Sequence, residues 1–212
     1  NRVFTQIFLS ICRILNREKK GLAEDSISEE LQKIVTRDYS SNITKAACNR
    51  AISWLYFSGI IGFCAKITEL DIMDFKAASR CYFMDLGVAN YYLKRTGTDE
   101  RALTGTLNEN YVFINLKKRQ DFPPEIAFET PAFATYKGGE IDFVVQSLEG
   151  NRRCLVEVKT GKGKAETALK ALQSGKADRL LYLKGNTKSG EDGKNCYELY
   201  IFTALCISFP IQ

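Results

Sequence analysis

Two short alternating runs, Glu140-Ile141-Asp142-Phe143-Val144-Val145 and Cys154-Leu155-Val156-Glu157-Val158-Lys159, flank the polar stretch Ser147-Leu148-Glu149-Gly150-Asn151. The pattern predicts a β-hairpin. Side chains two apart on a strand share a face, so Glu140 goes with Asp142 and Glu157 with Lys159. A two-residue turn at Glu149-Gly150 sets Asp142 across from Glu157 and Glu140 across from Lys159. Centring the turn on Gly150-Asn151 instead sets Asp142 across from Lys159. Either register keeps all four charged groups on one face, which a one-residue slip would not do. Three carboxylates and an ammonium among Ile, Phe and Val are expensive to place in a strand pair, and the expense points to chemistry.

The composition limits that chemistry. The chain has no histidine, which removes Ser-His-Asp and Cys-His triads, His-ligated zinc and a histidine general base. Hydrolysis here has to run on carboxylates, lysine and a hard metal. With 212 residues, 45% hydrophobic and 26% charged, the chain reads as a globular protein of one large or two small domains. The net charge of +5 is unevenly spread: Asn151 to Lys194 holds eleven Lys or Arg against five Asp or Glu. That excess would suit a polyanion beside the hairpin, or a helix and loop that face only solvent. The seven cysteines are scattered without a CxxC and are expected as buried thiols in a reducing cytoplasm. The longest uncharged run, Ala51 to Ala65, is too short and too broken by Ser and Gly to span a bilayer. Starting at Asn1 rather than Met, the chain reads as a piece of a longer protein.

The order of elements suggests two modules, residues 1–88 and 89–212. Phe4, Ile7, Phe8, Ile11, Cys12 and Leu15 recur at helical spacing. Ser26 with Glu29 forms a capping-box signature for a second helix, and a third is expected from Asn42 to Ser58 with Gly59 as its stop. Strand-like Ile60 to Leu70 and Ser79 to Met84 follow. Three helices and a strand pair is the order of a winged helix-turn-helix. Its third helix would present Lys45, Asn49 and Ser53, types that contact phosphates or base edges, unless that face is only solvated. Beyond it come a short helix at Val88 to Leu93, a polar joint at Thr96 to Thr106 and a helix from Leu107 to Gln120 ended by Pro123-Pro124. A strand over Ile126 to Phe133 precedes the hairpin. Gly161-Lys162-Gly163-Lys164 is a loop, Ala165 to Gln173 a helix, and Arg179 to Leu183 and Tyr197 to Phe202 are strands.

A helix glutamate, an aspartate in one strand, Glu-x-Lys in the next and then a helix together resemble the PD-(D/E)XK nuclease fold. Gly139-Glu140-Ile141-Asp142-Phe143 with Glu157-Val158-Lys159-Thr160-Gly161 looks like the C-terminal nuclease-like domain of a large prokaryotic AAA-type ATPase family, in which a winged helix links ATPase and nuclease-like parts. Arg80-Cys81-Tyr82-Phe83-Met84-Asp85-Leu86-Gly87 resembles the stretch leading out of that winged helix. Gly105-Thr106-Leu107-Asn108-Glu109-Asn110 resembles the first nuclease-like helix. The resemblance covers nearly the whole chain and implies a restriction-endonuclease-like mixed sheet behind the winged helix. It also implies Glu109, Asp142 and Glu157 as ligands of Mg²⁺ (or Mn²⁺), Asp142, Glu157 and Lys159 as catalytic residues, and Glu140 as a supporting carboxylate. Nucleic acid, DNA above all, would be the partner, touched by Lys45, Asn49, Ser53, Lys162, Lys164 and Lys170. The family's N-terminal ATPase domain would be the other partner, with no membrane involved.

Other readings remain at single positions. Glu109, three residues after Thr106, also fits a capping box, and the four hairpin charges also fit a cross-strand ion-pair cluster. Ile141 stands where the generic nuclease pattern has proline. No GxxxxGK[ST] is present, since Val156, Val158, Lys170 and Lys188 precede the Gly-Lys pairs at the required distance, so no ATP site is assigned to these residues. Two functions follow: a Mg²⁺-dependent nuclease, or a non-catalytic module that binds nucleic acid or protein and couples it to the ATPase.

Overall fold

A computed structural model describes residues 5–11, 27–39, 42–74, 80–121, 129–148, 152–161, 163–185, 190–191 and 195–205. The chain divides into two compact units, residues 1–63 with 76–110, and residues 64–75 with 111–212. Both combine helices with strands, a mixed α+β fold.

The first unit holds α1 (residues 5–11), α2 (Ile27–Tyr39), α3 (Lys45–Phe57), the opening residues of β1 (Ile61–Thr68), β3 (Arg80–Phe83), α4 (Leu86–Arg95) and the start of α5 (Glu100–Asp121). Its core packs Ile7, Phe8 and Ile11 with Leu31, Ile34, Leu55, Phe83 and Leu93. Thr44 caps α3, accepting from the Ala47 N–H at 3.1 Å. Ser26, the expected cap of α2, lies outside the described residues. β3 pairs β1, and Met84 N–H donates to Ile60 O at 2.9 Å.

The expected joint at Thr96 to Thr106 is shorter than its composition suggested. Asp99 Oδ1 accepts from the N–H groups of Arg101 and Ala102 at 2.9 and 3.0 Å, so α5 starts at Glu100. A well-placed N-cap satisfies orphan donors and overrides the polar, Gly-containing look of the segment. Thr106 is consequently interior to α5, and the capping-box reading of Glu109 falls.

The second unit is built on a sheet of order β2-β1-β4-β5-β6-β7-β9-β8: β2 (Ile72–Asp74), the rest of β1, β4 (Ala132–Tyr136), β5 (Gly139–Gln146), β6 (Arg153–Lys159), β7 (Arg179–Lys184), β8 (Gly190–Glu191) and β9 (Cys196–Tyr200). The strand expected over Ile126 to Phe133 begins only after Pro131, a residue without a ladder donor; residues 122–128 lie outside the described set. β5 and β6 are antiparallel, with Phe143 opposite Val156 and Val145 opposite Cys154. That is the register of the Glu149-Gly150 turn, although residues 149–151 themselves are not described. β6, β7 and β9 run parallel, and α6 (Glu166–Gln173) supplies the first crossover. Ala165, Ala168 and Ala171 of α6 and its flank pack on Ile141, Val144, Leu155, Leu180 and Tyr182.

A tight turn that sequence reading overlooked leads into β5. Tyr136 pairs with Gly139 across Lys137 and Gly138, whose φ values are +47° and +75°. Two positive φ angles are the requirement of a type I′ turn, the connection that suits strand twist best.

Candidate active site

The end of the β5–β6 hairpin brings three of the expected residues together. Lys159 Nζ lies 2.7 Å from Glu157 Oε2 and 3.5 Å from Asp142 Oδ2. The same Asp142 oxygen is held by backbone: Val158 N–H donates to Asp142 Oδ2 at 2.8 Å. The Glu157 side chain is 3% exposed, Asp142 15% and Lys159 31%, so the site grades from a dry floor to a wet rim.

A bulge aims Asp142. Ala132 pairs with Val144 but Ala134 with Ile141, so Asp142 and Phe143 both stand opposite Phe133. Strict alternation would put Ile141 and Val144 on opposite faces, yet both join the core under α6. The simple expectation that every second residue of β5 shares a face therefore fails at Asp142, a re-aiming that bulges commonly produce. Asp142 then reaches a β6 amide beyond the last β5–β6 register pair, Phe143 and Val156.

Burial makes Glu157 hard to ionise. Desolvation first, and the neighbouring Asp142 charge second, push its carboxyl up to about 8 from the usual 4.5, while Lys159 pulls the other way. Two carboxylates beside each other in a dry site are short of positive charge, which a hard dication with oxygen ligands would supply. Mg²⁺ is held by one or two carboxylates plus waters, so the donor set fits such an ion. Among the described residues, however, no group of three His, Cys, Asp or Glu side chains comes together.

The other expected residues fall elsewhere. Glu109 belongs to the first unit and faces the buried Arg80, Oε1 to Nη1 3.8 Å. Its neighbour Asn110 clamps β3 with both amide atoms, accepting from Phe83 N–H at 2.9 Å and donating to Phe83 O at 2.5 Å. Glu140 is exposed and pairs across the sheet with Thr135. Lys45, Asn49 and Ser53 are all exposed on α3, and Lys45 forms an ion pair with Glu29 of α2. Lys164 and Lys170 are exposed, whereas Lys162 lies outside the described residues.

Sequence reading missed three residues near the site. Tyr182 and Lys184 of β7 and Glu198 of β9 continue the rows begun by Glu157 and Lys159. Their signal was available: Glu157-Val158-Lys159, Tyr182-Leu183-Lys184 and Glu198-Leu199-Tyr200 repeat one polar-apolar-polar rhythm. The five cysteines among the described residues are buried thiols, and burial pushes the Cys154 thiol up to about 12, so it is not a nucleophile. No described helix is long and apolar enough to cross a membrane.

Fold and site together define a mixed α+β protein with a centre of two carboxylates and one lysine at the end of a hairpin. Residues 104–202 match the model of a domain of unknown function, DUF4143. Among solved structures, the chain is similar to protein VC1899 from Vibrio cholerae, at 14% identity and a TM-score of 0.27, over 86% of this chain and 48% of that one. The chain thus spans about half the length of VC1899, and a likeness this slight bears on neither fold nor function. No curated protein matches the chain.

Proposed function

We propose that the second unit is a PD-(D/E)XK-like nuclease domain that hydrolyses phosphodiester bonds of nucleic acid with a divalent ion. The observation that carries the proposal is the approach of Asp142 and the buried Glu157 to within 3.5 Å of the Lys159 ammonium. Asp142 and Glu157 would hold Mg²⁺ or Mn²⁺, which supplies Lewis-acid charge to an in-line displacement. Lys159 donates to a phosphoryl oxygen and places fixed positive charge where negative charge develops. The buried walls around Glu157 limit water there. The reaction forms one P–O bond from water and breaks one P–O ester bond, the leaving alkoxide ending protonated. We read α1, α2, α3 and the pairing of β1 with β3 as a winged helix, in which the exposed Lys45, Asn49 and Ser53 of α3 would meet DNA. The DUF4143 match supports reading the chain as an AAA-ATPase-associated C-terminal region, and we place that protein in the cytoplasm.

The test is cleavage of DNA and RNA by the chain with Mg²⁺ or Mn²⁺. Activity that needs the metal and is lost in Asp142→Asn and Lys159→Ala, with folding unchanged, supports the reading. A wild-type chain that cuts neither polymer and takes up no Mn²⁺ overturns it. One observation favours a second reading, a non-catalytic coupling module. Lys159 already bridges both carboxylates, so they are partly neutralised without a metal. That module would bind nucleic acid or a protein partner equally well after Asp142→Asn.

A further inference from the structure

The three parallel strands after the hairpin carry two registered rows. Glu157, Tyr182 and Glu198 are register partners across β6, β7 and β9, and Lys159, Lys184 and Tyr200 form the next row. Paired residues on neighbouring strands share a face, and adjacent strands stand ~4.8 Å apart. Lys184 is therefore one strand away from Lys159, toward the C-terminal ends of parallel strands, where open α/β sheets bind ligands.

Lys184 is well held. Its ammonium lies 2.5 Å from Glu198 Oε2 and 4.3 Å from the centre of the Tyr182 ring. Side-chain exposures of 18% for Lys184 and 21% for Glu198 keep the pair reachable from solvent. Beside it Tyr200 is 38% exposed, and Phe202, 57% exposed, meets it edge-on at 5.3 Å. Beneath, Tyr182 is 7% exposed and its hydroxyl makes no hydrogen bond among the described residues. Register sets Tyr182 between Glu157 and Glu198, and its ring lies under the Lys184 ammonium. A buried hydroxyl without a partner is costly, and a ligand oxygen in this row would satisfy it.

We infer that Lys184, Tyr182 and Tyr200 form a second subsite, which takes the phosphate next to the scissile one and stacks the attached base. Lys184 brings one charge-assisted bond to a phosphate oxygen while Glu198 and the Tyr182 ring fix its direction. Exposed Tyr200, backed by Phe202, offers a ring face for a splayed base, as in proteins that bind single strands. This subsite rests on the nuclease reading of Asp142, Glu157 and Lys159 and specifies what the centre would take: a single-stranded polynucleotide rather than a mononucleotide.

The experiment is titration of a labelled single-stranded oligothymidylate against the chain, with Ca²⁺ present and salt varied. Lys184→Gln should weaken binding and reduce the slope of log K against log salt by about 0.7, one single-strand phosphate contact, and Lys184→Arg should restore the slope. Tyr200→Ala should weaken binding about fivefold or more without changing the slope. Lys184→Gln with Glu198→Gln, which leaves no unpaired carboxylate, guards against misfolding and should lose the same slope. Wild-type affinity and slope in all these variants would overturn the subsite and leave the centre at Asp142, Glu157 and Lys159 standing. A wild-type chain that binds no oligonucleotide at any salt would overturn both.

Discussion

Gly139 opens the strand that carries Asp142, and the structure gives it a physical task. A Cβ built there would lie 2.1 Å from Thr167 Oγ1, 2.9 Å from Thr167 Cγ2 and 3.0 Å from Thr167 Cβ. Helix α6 comes this near because it meets the sheet through Ala165, Ala168 and Ala171. Rotating Thr167 about χ1 relieves the first two contacts but not the third, which moves only with the helix backbone. Gly139→Ala should therefore destabilise the second unit by about 1–3 kcal/mol, the range for overpacking a dense interior. Thr167→Ala removes Oγ1 and Cγ2 and leaves one tight Cβ contact, so the double variant should recover most of the loss. The coupling in a double-mutant cycle would then be about 1–2 kcal/mol. Urea unfolding of the four proteins measures it. A loss below about 0.5 kcal/mol for Gly139→Ala, or no coupling to Thr167, would refute the claim that α6 contact, rather than turn geometry, requires glycine here.

With metal chelated, the Glu157 carboxyl, raised to about 8, holds a proton in the folded state that the unfolded chain has lost above about 4.5. Stability should then fall by up to ~1.4 kcal/mol per pH unit between those values. Glu157→Gln should flatten that decline, and added Mn²⁺ should stabilise the wild type more at pH 8 than at pH 5.5; a wild-type stability that rises over this range contradicts the assignment. Glu109→Gln removes the carboxylate charge 3.8 Å from the buried Arg80 guanidinium and should destabilise the first unit by about 1–3 kcal/mol in urea unfolding; an unchanged midpoint contradicts it. Lys137 sits at φ +47° in the turn before β5, so Lys137→Asn should raise the midpoint of thermal unfolding, worth ~0.5–1 kcal/mol.

What could be read in advance was whatever depends on local alternation. The β5–β6 hairpin, two candidate registers for it, and the grouping of Asp142, Glu157 and Lys159 follow from alternation and a short turn; which register is taken, Phe143 opposite Val156, came only with the structure. Features set by tertiary contact were hidden. The bulge at Asp142 and Phe143 leaves no mark in the alternation of polar and apolar residues, because Phe143 remains apolar on either face. The start of α5 was obscured because Thr96 to Thr106 has the composition of a loop, and one aspartate oxygen decides otherwise. The interleaving by which residues 64–75 leave the first compact unit for the second depends on Ala65, Lys66 and Ile67 pairing with β4, a partner 67 positions away at Ala65↔Ala132. No local pattern encodes a pairing of that separation.

The same reasoning explains why the rows on β7 and β9 went unread although their rhythm was in plain view. Alternating polar residues near the end of a strand normally mean a solvated edge, and only the parallel register turns Tyr182, Lys184 and Glu198 into neighbours of Glu157 and Lys159. Register also explains the charge arrangement. Each lysine lies against a glutamate on its own or the adjoining strand, Lys159 against Glu157 and Lys184 against Glu198. A dication at Asp142 and Glu157 would compete with Lys159 for the same carboxylate oxygens and turn its ammonium toward the substrate. The site's affinity for polyanions should thus rise when metal binds, a coupling that a mere surface ion-pair cluster would not produce.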